Sequence, residues 1–114
     1  MLPRDDATTR AFLFDAKKAI SEPGRLRFIP TDKNRAALAE LGFAVSDVIG
    51  FVKRLETKDH HSGPEADRDG TPGRVMVFLR PYMGKLLYVK LKLYEVEGET
   101  QVTILSFHEE GQHG

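Results

Sequence analysis

Cysteine is absent from all 114 residues. That excludes disulfides and thiolate metal sites, and it fits a reducing compartment. No apolar run approaches the roughly 20 residues that a membrane-crossing helix needs. The opening stretch Met1-Leu2-Pro3-Arg4-Asp5-Asp6 lacks the apolar centre of a secretory signal. A cytoplasmic protein without membrane contact is therefore expected. An excess of one charge is also missing. The 17 Lys and Arg balance the 17 Asp and Glu, which counts against a surface that coats duplex nucleic acid. The sequence holds no glycine-rich phosphate loop, no nucleophile elbow and no His-Glu-x-x-His helix. No helix pair carries a basic recognition helix, so direct DNA binding is not expected.

What is present suffices for one domain over residues 1–114, because 40% of the residues are hydrophobic, enough for a single core. Residues 1–7 read as frayed. A first helix is expected from about Thr9 to Ser21, capped by Thr8, with Phe12, Leu13, Ala16 and Ile20 as its apolar stripe. Pro23-Gly24 ends it. Arg25 to Ile29 reads as a short extended segment. Thr31 or Asp32 caps a second helix with Ala37, Leu38 and Leu41 inward and Gly42 as its stop. Ser46 caps a third, from Asp47 to about Leu55, on a stripe of Val48, Ile49, Val52 and Leu55, with Asp47 near its positive end. Glu56 to Gly73 contains three Gly, two Pro and almost nothing apolar. It reads as a long mobile loop.

The last third is rich in strands. Arg74 to Leu79 places Val75, Val77 and Leu79 on one face, and Arg80 to Gly84 is the connection. Lys85 to Glu95 alternates strictly: Leu87, Val89, Leu91 and Leu93 fall on one side, Tyr88, Lys90, Lys92 and Tyr94 on the other. Glu97-Gly98 makes a turn. Gln101 to His108 then puts Val102, Ile104 and Ser106 on one face and Thr103, Leu105 and Phe107 on the other. Three strands with short links form an antiparallel meander. Helices first and sheet second is an α+β arrangement.

The basic and aromatic side of the alternating strand offers lysine for phosphate and rings on which bases stack, the means by which single-stranded nucleic acid is held. A solvated sheet face carries the same residue types. Charge clustering adds to the first reading. Arg74, Arg80, Lys85, Lys90 and Lys92 occur with no acid between the first and the last.

Three groups are candidates for chemistry. In Lys58-Asp59-His60-His61 a histidine can move protons near neutral pH and the lysine can hold a phosphate. The paired histidines lack further ligands, so neither a metal nor a cofactor is expected. Arg80 beside Tyr82 offers a guanidinium fork for phosphate. Tyr88 with Lys90 and His108 is the third, since side chains on neighbouring strands converge. The alternative for each is ordinary polar surface.

Taken in order, Thr9-Arg10, Ala16-Lys17-Lys18-Ala19-Ile20, Leu41-Gly42-Phe43, Asp47-Val48-Ile49-Gly50, Arg80-Pro81, Leu87-Tyr88-Val89-Lys90-Leu91-Lys92 and Val102-Thr103-Ile104-Leu105-Ser106-Phe107 resemble the MqsR toxins, the motility and quorum-sensing regulator group of bacterial type II toxin–antitoxin systems. The resemblance implies a RelE-like α+β fold with N-terminal helices on a small antiparallel sheet. It implies a metal-independent, sequence-selective endoribonuclease that cleaves single-stranded mRNA, inhibits translation and growth, and is held inactive by an MqsA-like antitoxin. The family's activity-linked lysine, arginine and tyrosine correspond by position to Lys58, Arg80 and Tyr88. A family glutamine before Arg-Pro has no counterpart, since Val75, Met76 and Val77 stand there, and His108 replaces the lysine after Ser-Phe.

The mechanism so implied lays RNA across Lys85, Lys90, Lys92, Tyr94 and Tyr82. A ribose 2′-hydroxyl attacks the adjacent phosphate. Arg80 and Lys58 stabilise charge, His60, His61 or His108 moves protons, and Tyr88 orients the phosphate. The alternative from another class is a non-catalytic RNA- or protein-binding module using the basic face or a strand edge.

Overall fold

Apolar residues at helical spacing put Phe12, Leu13, Ala16, Ala19 and Ile20 on one buried stripe of α1, Asp5–Ile20. A computed structural model describes residues 5–111. Thr8, expected as a cap, lies inside this helix. Of the stretch expected to fray, residues 5–7 are helical and residues 1–4 lie outside the described residues. Helix α2, Asp32–Leu41, starts where the Thr31 hydroxyl accepts the Asn34 N–H at 3.1 Å. It stops at Gly42, whose φ of 71° lets the Gly42 and Phe43 N–H groups turn back to the Ala39 and Leu38 carbonyls. Helix α3, Val45–Lys53, begins ahead of the expected Ser46 cap. The reason is Asp47, which reaches back to accept the Ala44 N–H at 2.8 Å and so fixes the start at Ala44.

The expected loop from Glu56 to Gly73 is mostly structured. It holds a 3-10 turn, Thr57–Asp59, and a strand. Numbered with the others in chain order, the strands are β1 (Leu26–Phe28), β2 (His60–Glu65), β3 (Arg74–Tyr82), β4 (Lys85–Val96) and β5 (Glu99–Glu109). Strand β2 shows no apolar alternation because it lies at the sheet edge and is held by its backbone pairing to β3. The true link to β3 is residues 66–73. The sheet order is β1-β5-β4-β3-β2. Strand β1 runs parallel to β5, so the sheet is mixed where an antiparallel one is expected.

The helices cover one face. Met76 and Phe78 from β3, Leu87, Val89, Leu91 and Leu93 from β4, and Val102, Ile104 and Phe107 from β5 meet Phe12, Val48, Val52 and Leu55 there. Strand β3 runs on to Tyr82, because Arg80, Pro81 and Tyr82 pair with Leu87, Leu86 and Lys85, and the connection shrinks to Met83-Gly84. Val75 and Val77 do share a face, but it is the second face, away from the helices and opposite Lys92 and Lys90. Both valines are buried there, so β3 is apolar on both sides.

In β5 the expected alternation breaks. Lys90 pairs with Ser106 and Leu91 with Ile104, leaving Leu105 as the extra residue of a bulge. The bulge turns Phe107 onto the core face with Val102 and Ile104, where the alternation alone puts it opposite them, and it turns His108 to the second face. Asn34, 2% exposed, straddles this bulge from α2. Its Nδ2 donates to the Ile29 carbonyl at 2.8 Å and the Leu105 carbonyl at 3.0 Å, and its Oδ1 accepts the Phe107 N–H at 3.1 Å. Beyond the end of β1 this amide stands in for a strand partner, so the bulge leaves these buried backbone groups satisfied.

Replacing Asn34 with Ala removes three hydrogen bonds to backbone and should lower the unfolding free energy by about 2–4 kcal/mol, read from urea denaturation. Asn34→Asp loses the Nδ2 donor and sets a carboxylate against two carbonyls, so it should be at least as destabilising.

Candidate functional site

The sheet divides the expected site residues into two groups. On the second face, Tyr88 of β4 stands directly opposite His108 of β5. Their rings stack with centroids 4.9 Å apart and 13° between planes. His108 is buried and Tyr88 half-buried. The His108 Nδ1 lies 2.9 Å from the Glu109 carbonyl. A carbonyl only accepts, so Nδ1 carries a proton, and in the neutral ring it is Nε2 that has the lone pair. Burial pushes the Tyr88 phenol above its ordinary 10.0, and Glu65 and Glu110 push the same way while Arg68 opposes them. The phenol therefore stays protonated at neutral pH and acts as a hydrogen-bond donor. One step along β4, Lys90 lies across from Ser106 and makes no ion pair among the described residues.

Lys92 is on the same face but is not open to a ligand. It is buried, and its ammonium donates to Asp67 at 2.8 Å and to the Thr71 hydroxyl. It thereby pins the 66–73 link across the sheet. Gly73 permits the approach: a Cβ there would lie 2.7 Å from the Leu93 carbonyl and 2.9 Å from Lys92 Cε. Tyr94 sits beside the pin, its ring 6.0 Å from the Lys92 ammonium.

The remaining expected residues lie elsewhere. Arg80 pairs in register with core residue Leu87, so it projects on the helix side. There its guanidinium meets the buried Asp59 carboxylate at 3.0 Å and Glu56 at 3.6 Å. Asp59 also accepts the Glu56 N–H at 2.8 Å. Lys58 is exposed, 3.9 Å from Glu56. His60 packs its ring against Phe78 and donates from Nε2 to the Gly63 carbonyl at 2.8 Å. His61 is exposed on the edge strand. Tyr82 packs edge-on against Phe43 and Phe51, and Lys85 pairs with Glu109 at 3.7 Å. A single site combining Arg80, Lys58 and Tyr88 is thus not formed, since the sheet separates them. A group of three or more His, Asp or Glu able to hold a metal is absent among the described residues.

Sequence reasoning missed Asp59, Asp67, Thr71 and Arg68. A signal for part of this was available. Asp67 and Asp69 each accept the N–H two residues on, at 3.1 Å and 2.9 Å, and Asp-x-Asp-Gly-Thr-Pro is suited to such turns. No family model, curated protein or solved structure matches the chain.

Arg80→Ala should cost about 2–3 kcal/mol in urea unfolding, because it strands the buried Asp59 carboxylate. The Lys92 hydrogen bond is the main cause holding the Asp67 carboxyl below its ordinary 3.8. The pin is therefore fully present above that value and is lost as pH falls through the lowered one. An NMR titration should give an Asp67 midpoint below 3.8 that returns toward it in Lys92→Met.

Proposed function

We propose that this chain is a RelE-like toxin of the MqsR kind, a metal-independent endoribonuclease that acts on single-stranded mRNA in the cytoplasm and is restrained by a small cognate antitoxin. One observation carries the reading: a phenol held protonated, stacked on an imidazole whose Nδ1 donates to backbone, with a lysine that makes no ion pair among the described residues next to them on an aromatic and basic sheet face. RNA hydrolysis without a metal asks for these parts: a base, a proton donor and a cation.

In this mechanism the His108 Nε2 takes the proton of a ribose 2′-hydroxyl as that oxygen attacks the adjacent phosphorus. The bond from phosphorus to the 5′ oxygen breaks, leaving a 2′,3′-cyclic phosphate and a 5′-hydroxyl. Lys90 faces the charge that grows on the phosphate oxygens. Tyr88 orients the phosphate and passes its proton to the departing 5′ oxygen; the phenolate then regains a proton from water and the His108 imidazolium releases the one it took. Arg80 and Lys58, which the resemblance links to activity and for which charge stabilisation is expected, take no part in this version.

A second reading, a non-catalytic RNA- or protein-binding module, is favoured by a different observation. Arg80, Lys85 and Lys92, three of the five clustered basic residues, are already matched by Asp59, Glu109 and Asp67. One assay separates the two: cleavage of a defined mRNA with EDTA present, with the product ends mapped. Wild type should yield cyclic-phosphate ends. His108→Ala should lower the rate by about 10²–10⁴-fold, and Tyr88→Phe and Lys90→Ala should lower it as well. RNA that is bound but stays intact would give the molecule to the second reading.

A further inference from the structure

A cleft of about 330 Å³ on the second face is not used by the cleavage mechanism. Arg27, Asp69, Pro72, Tyr94, Thr103 and Leu105 line it. Leu105, the extra residue of the β5 bulge, faces it in alternation with Thr103. Arg27 is exposed and makes no ion pair among the described residues. Asp67 has both oxygens occupied, Oδ1 by the Asp69 N–H at 3.1 Å and Oδ2 by Lys92 at 2.8 Å. Asp69 differs. Its Oδ1 accepts the Thr71 N–H at 2.9 Å and the Thr71 hydroxyl at 2.6 Å, and its Oδ2 accepts nothing among the described residues.

The cleft therefore combines a ring, apolar walls, a cation and one spare carboxylate oxygen held in place by a turn, that of Asp69; the remaining carboxylate at its rim, Glu95, is exposed and takes the Thr100 hydroxyl on Oε2 at 2.8 Å. A flat base suits the ring and the Leu105 and Pro72 walls, and a phosphate suits Arg27. The spare oxygen can only accept, so it suits an exocyclic amino group. Uracil has none: its one edge donor, N3–H, lies between two carbonyl oxygens, so a carboxylate that meets the N–H also meets an acceptor on either side. We infer that this cleft is a base-selecting subsite for single-stranded RNA, taking cytosine, adenine or guanine and disfavouring uracil, with Asp69 as the specificity-determining residue. The inference rests on the ribonuclease reading. Tyr94 is six residues beyond Tyr88 on β4, about 20 Å at strand spacing, a distance that several nucleotides of an extended strand cover.

The test uses 2′-O-methyl oligocytidine and oligouridine of equal length, which cannot undergo 2′-hydroxyl attack, with binding read by fluorescence anisotropy at fixed salt. Wild type should bind the cytidine strand roughly tenfold more tightly. Asp69→Asn should abolish that preference, because an amide can also donate to the uracil carbonyl. Tyr94→Ala should weaken both strands about tenfold, while Tyr94→Phe, which keeps the ring, should bind like wild type. Equal wild-type affinity for the two strands overturns the subsite, as does a preference that survives in Asp69→Asn, and either outcome leaves the cleavage reading standing. Failure of wild type both to bind and to cleave RNA overturns the cleavage reading and the subsite together.

Discussion

The arrangement of the second face depends on one side-chain amide. Asn34 is polar and almost wholly inside, a costly placement unless its donors and acceptor are matched. All of them are, by backbone on either side of the β5 bulge and at the end of β1. The amide thus does two jobs. It fastens α2 to the sheet, and it makes a one-residue slip in β5 tolerable. Strand side chains alternate with period two, so a one-residue slip exchanges inside and outside for every residue beyond it. Phe107 enters the core because of that slip. His108 reaches Tyr88 for the same reason, whereas Leu105 faces the cleft by its ordinary alternation with Thr103.

Around this frame, positive and negative charges are matched across distances in sequence. Arg80 is answered by Asp59 and Glu56 from the segment after α3, Lys92 by Asp67 from the β2–β3 link, and Arg25 by Glu99 at 3.0 Å from the β4–β5 hairpin. In these three places opposite charges meet in specific pairs. Acids from connecting segments close onto bases from strands. The exposed pairs contribute little to stability, but the buried ends at Asp59 and Lys92 fix where those segments lie. Lys90 and Arg27 stand outside this scheme, and each adjoins a place where a ligand is proposed.

Much of the fold was legible because period and punctuation agreed. The α1 stripe, the Gly42 stop and the β4 alternation all followed from spacing, and the meander followed from its turn residues. Three features were not legible. Strand β2 has no pattern of its own, since an edge strand borrows its order from a neighbour. The bulge leaves no mark in Leu105-Ser106, because its cause is an asparagine far away in sequence. The two faces of β3 read alike, so alternation could not say which valines or large apolar residues look toward the helices. The candidate site failed in sequence for a related reason. Arg80 and Tyr88 are close along the hairpin, but their parity in register sends one to each side of the sheet.

The parallel pairing of β1 with β5 also sets an order of events during synthesis. Strands β3, β4 and β5 meet through short turns and can assemble as soon as they emerge, since such contacts close quickly. Strand β1 and Asn34 leave the ribosome well before their partners: Leu105 and Phe107 follow Asn34 by 71 and 73 residues, and Val102 and Ile104 come with them. The N-terminal helices must therefore wait, their apolar stripes open to solvent and to chaperones, until β5 is released. A chain terminated before Leu105 lacks both the sheet's parallel edge and the bulge that turns His108 toward Tyr88, so it has neither a closed core nor the ring pair on the second face.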